Sequence, residues 1–558
     1  MRKLVAVILS VLIVMGCVPF AYAESGDLSL IVATDIHYHK KDSTTQITKS
    51  TEENPFGHTV SNGKLTAESA AIFDEFLKEA AESDCDYVLI TGDISDNGEI
   101  ENVQAAVEKL EAFERSSGKT VIACMGNHEA YHGDQGFYVV KGLTGPEFRE
   151  YYKNLGYDIA LDVDESSASY TVDLNSKYRL ICIDSNVMND RLVEWIGQQA
   201  EKAAKDGKNL ISASHLSLFP HYEMESLASG SVIDESYGLP DKFIEWGIKF
   251  NFSGHTHELD TAEYTNDKGI VYDITSGSLT TYPCNYKTAV FTDSRVTLDT
   301  KYIEKIDTSL VPEGLAPEAA ELLENDFRAY AKKMFVMGAQ SEISVYIDAD
   351  YIISLARLNP SKDREIIDLI RLLIPKVNEA INMPLYGENS LSSIAEKNGY
   401  NIPESEYSTF LGVIGEIYCC HCAGNEHCSS YTGLGKIAFN GLAAALSYSL
   451  DELSREDFQT VINWALNTFE LPFDVPPMLG SITTGVLVNQ KDIEYVLINI
   501  ASPFIDDFFN DTYPDDVSAA FPGYGMNEAK TATFIVKLKQ FLNTILLLLD
   551  SIFSLIFR

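Results

Sequence analysis

Five short apolar runs in the first half of the chain each stop at a residue able to bind a metal, and this recurrence restricts the fold more than any other feature. "LSLIVAT" (28–34) leads to Asp35 and His37, and "YVLIT" (87–91) to Gly92 and Asp93. "TVIACM" (120–125) leads to Gly126, Asn127 and His128, "NLISAS" (209–214) to His215, and "FNFS" (250–253) to Gly254, His255 and His257. Uninterrupted apolar runs of this length read as strands buried on both faces. An open α/β sheet builds its sites in the crevice beyond the strand ends. The expectation is that several strands deliver these side chains to one edge.

The donor types agree with that placement. Asp35 with His37, and His255 with His257, are spaced i and i+2, so in extended chain each pair shares a face. Neutral imidazole, carboxylate and amide oxygen are ordinary ligands of divalent transition metals. Seven candidates, namely Asp35, His37, Asp93, Asn127, His215, His255 and His257, suit two five- or six-coordinate ions if one carboxylate binds both. His128 is left over. Taken singly, Asp and Asn at a strand end are as often turn formers or caps; it is the full ordered set that carries the reading.

The order D-x-H, GD-x-x-D-x-G, GNHE, H and GHTH resembles the calcineurin-like metallophosphoesterases over about residues 27–300. The resemblance implies a four-layer αββα sandwich in the α/β class. It implies that Asp35, His37 and His257 bind one metal and Asn127, His215 and His255 the other, with Asp93 bridging. His128 would then protonate the leaving group or steady the phosphorane. Two divalent ions, of manganese, iron or zinc, would activate a shared water for in-line attack on phosphorus. Asp96, Glu129 and Asp184 are candidate partners for the N–H groups of ligand imidazoles, although such carboxylates are more often surface residues or caps.

Departures from related patterns bear on the substrate. Protein serine/threonine phosphatases of this family carry arginines where this chain has Asn97 and Met125, and these grip a phosphate monoester dianion. Purple acid phosphatases have tyrosine where Asp96 stands, and 5'-nucleotidases tend to read GNHEFD rather than "GNHEAY". The segments "VATDIHY", "GDISDNGE", "NLGYDIAL" and "SGSLTTYP" are most similar to secreted bacterial proteins related to class III cyclic-nucleotide phosphodiesterases. A small diester carries one negative charge and suits a pocket without arginine clamps. The alternatives are a phosphomonoesterase of the same fold and a non-catalytic cell-surface protein that retained it.

Residues 1–23 have a basic start, an apolar core and the small-x-small end Ala21-Tyr22-Ala23, so a secretory signal cleaved after Ala23 is expected, and with it a secreted or cell-envelope protein. Lipid attachment at Cys17 is the second option. Removing Arg2 and Lys3 with that segment takes the formal net charge from −40 to −42. A surface this acidic repels nucleic acid and anionic lipid as bulk partners, but does not exclude a small phosphoester drawn to cationic metals.

Nine cysteines are too few for a disulfide scaffold in a chain of this size. Cys85, Cys124 and Cys182 read as core residues. The run "YCCHCAGNEHC" holds Cys419, Cys420, Cys422 and Cys428 beside His421 and His427; packing, a disulfide and a zinc site are its readings, in that order of preference. Beyond the Pro- and Gly-containing link at 308–317 the pattern becomes helical, predicting an all-α domain over about 308–530. Its expected helices are Glu318–Met334, Asp363–Ile381 with a kink at Pro375, Leu411–Tyr418, Leu434–Leu450 and Glu456–Phe469. The apolar tail 534–558 contains Asp550 in a polar stripe, which fits an amphipathic helix on a membrane surface or a partner better than a span.

Overall fold

The computed structural model describes residues 27–43, 63–130, 141–222, 225, 230–346, 348–350, 353, 359–362, 364–397, 401–424, 433–450 and 516–524. The expected signal segment, Cys428, His427, the helix over 456–469 and the tail lie outside them.

Two sheets pack face to face. In the first, β1 (Leu28–Ala33), β2 (Tyr87–Ile90) and β3 (Thr120–Ala123) run parallel to one another. The strands β11 (Asn285–Phe291), β12 (Arg295–Tyr302) and β13 (Ser518–Pro522) continue it antiparallel, giving six strands in the order β13-β12-β11-β1-β2-β3. The centre of the second sheet is β6 (Tyr178–Ile183), β7 (Asn209–Ser214), β8 (Phe250–Ser253) and β10 (Ile270–Ser276), all parallel. The short β4 (Asp162–Val163) and β5 (Tyr170–Asp173) close one edge and β9 (Leu259–Thr265) the other, giving seven strands in the order β4-β5-β6-β7-β8-β10-β9.

The reason the strands read as unbroken apolar runs is visible in β1. Leu28, Leu30 and Val32 enter the core between the sheets with Phe250, Phe252 and Ile274, whereas Ile31 and Ala33 enter the core under the helices. Successive side chains of a strand point to opposite faces, and here both faces are covered. The helices α1 (Ser69–Glu82), α2 (Ile100–Ser117) and α3 (Gly145–Tyr151) cover the outside of the first sheet. The helices α4 (Asp190–Lys205) and α5 (Leu239–Trp246) cover the second. The result is the expected αββα order. Helix ends are set locally: Asn189 accepts from Leu192 N to start α4, Thr144 and Glu147 form a capping box on α3, and Gly118 closes α2 at φ 73°.

The described residues after 308 are mostly helical but depart from the expectation. The stretch from Glu318 is two helices, α6 (Pro317–Asn325) and α7 (Phe327–Tyr346), because Asp326 leaves helical geometry and its carboxylate accepts from Ala329 N, 2.9 Å away, as a new cap. Both helices join the core of α1 and α2 through Ala319, Leu323, Phe327 and Tyr330. The region is also not all-α, since its residues 518–522 are the edge strand β13 of the first sheet. The helices α8 (Arg364–Ile381, which runs through Pro375), α9 (Leu391–Lys397), α10 (Phe410–Cys422) and α11 (Gly433–Leu450) share a separate apolar core. Cys419 and Cys422, on the last turn of α10, are buried against Phe335. Among the described residues no helix is long and apolar enough to cross a membrane.

Candidate metal centre

The seven candidate ligands and His128 come to one place, the edge where β1, β2 and β3 of one sheet and β7 and β8 of the other end. Asp35 and His37 follow β1, Asp93 follows β2, Asn127 and His128 follow β3, His215 follows β7, and His255 and His257 follow β8. Five of them, Asp35, His37, Asp93, His255 and His257, have φ between 42° and 74°. Left-handed backbone at a non-glycine residue costs about 1–3 kcal/mol each and persists where the surroundings enforce it. Five such residues within one site mark a set of loops bent to turn side chains inward. The neighbouring glycines make room: a side chain at Gly126 would collide with Asp93 N and Oδ1, and one at Gly254 with Thr34 Oγ1 and Asp35 Oδ2.

The donors form two groups. In the first, His37 Nε2 and His257 Nε2 face each other at 3.0 Å, and Asp35 Oδ1 lies 3.2 Å from His257 Nε2 and 3.6 Å from His37 Nε2. In the second, Asn127 Oδ1 is 2.8 Å from both His215 Nε2 and His255 Nδ1. Asp93 Oδ2 reaches into both, 3.2 Å from His215 Nε2 and 3.8 Å from His37 Nε2.

Each carboxylate uses one oxygen to fix itself and aims the other inward. Asp35 Oδ2 accepts from Thr34 Oγ1 at 2.7 Å and His255 N at 2.9 Å, and Asp93 Oδ1 accepts from His128 N at 2.8 Å. Asp35 Oδ1 is buried and has no hydrogen-bond donor among the described residues. A buried acceptor without a donor costs about 1–3 kcal/mol, and a cation between Asp35 and the two facing imidazoles removes the deficit. The donor set therefore fits metal ions.

The rings are oriented by backbone. His215 Nδ1 donates to Thr91 O at 2.9 Å, and His128 Nδ1 donates to Asp96 O, so each turns Nε2 to the site. This corrects the expected role of three carboxylates. Asp96 turns its side chain to His39 (3.6 Å), Glu129 accepts from Ser95 N, Ser95 Oγ and Gly126 N, and Asp184 accepts from Ala168 N and Asn186. All three hold loop backbone or a neighbouring histidine, and none is bonded to a histidine of the donor set.

Electrostatics follow from crowding. Burial would raise the carboxyls of Asp35 and Asp93, but the surrounding histidines outweigh it and hold both well below the usual carboxylate range. Burial opposes charge on His215 too, yet Asp93 beside it raises that imidazole to about 9. Burial and the charge of His215 press His255 down to about 4. His128 is held well below its ordinary value by burial and by Lys64.

Lys64 is the residue that sequence reasoning missed. Its Nζ lies 3.3 Å from His128 Nε2 and 3.5 Å from His37 Nδ1. A lone lysine in "SNGKLTAE" has no neighbour in the sequence to mark it, because the contact is made 64 residues away.

Residues 28–259 match the family model described as calcineurin-like phosphoesterase. The chain carries a calcineurin-like phosphoesterase domain. The matched span is that of a metal-dependent phosphoesterase domain, and the family depends on two metal ions. Among solved structures, a dimetal phosphatase from Danio rerio is similar at 13% identity and a TM-score of 0.34, over 49% of this chain and 96% of that one. A purple acid phosphatase from yellow lupin, Lupinus luteus, is similar at 13% identity and a TM-score of 0.31, over 50% of this chain and 52% of that one. At TM-scores of this size these are likenesses and nothing more. No curated protein matches the chain. Within the phosphoesterase domain, the matched span contains all eight of the singled-out residues and stops two residues after His257.

Proposed function

We propose that the phosphoesterase domain hydrolyses a small phosphodiester, a cyclic nucleotide or a compound of similar size and charge, at a dinuclear centre. Asp35, His37 and His257 would hold one ion and Asn127, His215 and His255 the other, with Asp93 able to serve both. The observation that carries this reading is the position of Asp93 Oδ2, a single carboxylate oxygen 3.2 Å from His215 Nε2 and 3.8 Å from His37 Nε2, in different halves of the set. Divalent ions bound there supply charge neutralisation for the phosphoryl oxygens and activation of water at neutral pH.

The chain's own residues do the rest. Asp35 and Asp93, ionised at any working pH, offer permanent negative charge to the cations. The backbone carbonyls of Thr91 and Asp96 fix the tautomers of His215 and His128, so that each presents Nε2 inward. His128 Nε2 lies 3.8 Å from Asp93 Oδ2 with its side chain 15% exposed, within reach of a phosphoester held by the donor set. The diester preference is supported by the two places where related phosphatases carry arginine. Asn97 is bonded to the carboxylates of Asp96 and Glu99, and Met125 is buried in the core under the helices. Neither brings a cation to the phosphate. The expected signal segment at 1–23 supports action outside the cytoplasm.

The test is hydrolysis of bis(p-nitrophenyl) phosphate against p-nitrophenyl phosphate by manganese-loaded protein, beside Asp93→Ala. Faster turnover of the diester is expected. Loss of even a residue behind a ligand costs about 10–100-fold, so Asp93→Ala should cost at least about a hundredfold in kcat/KM. Preference for the monoester would overturn the diester reading, and undiminished activity in Asp93→Ala would overturn the site.

A further inference from the structure

The contacts of Lys64 give the site a cation that no metal motif contains. His128 Nδ1 donates to Asp96 O, so in the neutral ring Nε2 carries a lone pair and accepts. The proton-bearing group at that edge is the ammonium of Lys64, 3.3 Å from His128 Nε2 and 3.5 Å from His37 Nδ1. An oxygen lodged against His128 therefore meets the lysine as well.

Lys64 is held in place from three sides. Leu65 N donates to Thr280 O at 2.6 Å, and the Leu65 side chain is fully buried. Thr280 Oγ1 in turn donates to Asp35 O at 3.2 Å, which ties the same loop to the first donor group. Gly63, at φ 73°, sits against Phe335 of α7, which a Cβ would approach to 3.1 Å. A side chain on a backbone pinned by a sheet loop and a helix of the C-terminal region stays beside the site.

We propose that Lys64 is a substrate-binding residue of the phosphoesterase site, its ammonium donating to a non-bridging phosphoryl oxygen on the His128 side. This rests on the assignment of the dinuclear site above. It takes the place of an arginine clamp with a single point charge, which matches the single negative charge of a diester and binds without the bidentate geometry that favours a dianion. It also gives the C-terminal helices a part in the reaction, because α7 helps to shape the loop that carries the lysine.

The experiment compares wild type, Lys64→Met, Lys64→Arg and Asp93→Ala, all loaded with manganese and assayed for bound metal. Calorimetric titration with inorganic phosphate reads anion binding without turnover, and bis(p-nitrophenyl) phosphate reads KM and kcat. One charged hydrogen bond corresponds to roughly a ten- to hundredfold effect. Lys64→Met should weaken phosphate binding and raise KM by that factor, with bound manganese unchanged and with most of the loss restored in Lys64→Arg. Phosphate affinity and KM equal to wild type in Lys64→Met would overturn the proposal while leaving the dinuclear reading intact. Loss of manganese in parallel with the loss of phosphate binding would also overturn it, since the lysine would then act by holding His37. If wild type were as inert as Asp93→Ala and bound no manganese, the reading on which the proposal rests would fall with it.

Discussion

At the scale of single residues, the site is a set of inward-turned loops in which backbone does much of the orienting. His128 shows the consequence. With Nδ1 committed to Asp96 O and Nε2 beside Lys64 and Asp93, its ring is placed to act on the leaving oxygen and to do little for metal binding. Replacing it by asparagine should leave bound manganese unchanged. The neutral ring holds no proton at Nε2, so protonation of the leaving oxygen by His128 requires the imidazolium. On that role, diesters with alkyl leaving groups should lose about 10²–10⁴-fold in kcat, and p-nitrophenyl diesters much less, because a good leaving group needs no proton. Equal losses for both classes would show that His128 serves the metals or the phosphoryl oxygens instead. The same residue explains what was legible beforehand. GNHE contains both a donor and its unligated neighbour, but which ring nitrogen points where depends on Asp96 O, 32 residues away.

At the scale of elements, the strand β13 is the least expected feature. It arrives more than 200 residues after its partner β12, with Val296 opposite Phe521 and Leu298 opposite Ala519. Phe521 is buried among Phe250, Tyr272 and Phe291 between the sheets. Phe521→Ala should therefore lower stability by about 3–5 kcal/mol, the cost of emptying a buried aromatic site. In urea unfolding the phosphoesterase domain should lose this stability together with the C-terminal region. A change under about 1 kcal/mol would mean that β13 adds little to the sheet. Five residues of strand so far along the chain from the rest of their sheet escape sequence reasoning because "SAAFP" is too short for its period to be told from a loop.

At the scale of the whole molecule, the junction between the second sheet and the C-terminal helices is a buried charged cluster. His221 Nδ1 pairs with Asp260 at 3.1 Å, His421 of α10 pairs with Glu258 at 3.1 Å, and Tyr222 donates to Glu258 at 3.2 Å. Glu225 accepts from His221 N at 2.7 Å through one oxygen, while burial, outweighing the pull of His221, raises its carboxyl to about 7. A carboxyl raised on folding is more protonated in the folded than in the unfolded chain between its ordinary value and about 7. Stability is therefore fully present below the ordinary value and lost as pH climbs through about 7. Glu225→Gln should remove that loss, raising stability by about 1–3 kcal/mol at pH 8 with little change at pH 4.5, since each tenfold change in proton affinity between the two states is worth about 1.4 kcal/mol. Urea midpoints of the two proteins at both pH values check it, and a Gln variant less stable at pH 8 would contradict it.

What the sequence determined alone was which side chains gather at the strand ends and the layers around them. Strands buried on both faces must be apolar throughout, and ligands at strand ends must follow those runs at once, so both leave a local signature in neighbouring residues. Only the tertiary structure decided which backbone carbonyls orient His128 and His215, that Lys64 stands beside His128 and His37, that Asp96, Glu129 and Asp184 turn away from the donor histidines, and that residues 518–522 return to the first sheet. Each of these depends on a contact between segments distant in the chain, whose energy comes from packing and burial that no short stretch of sequence contains.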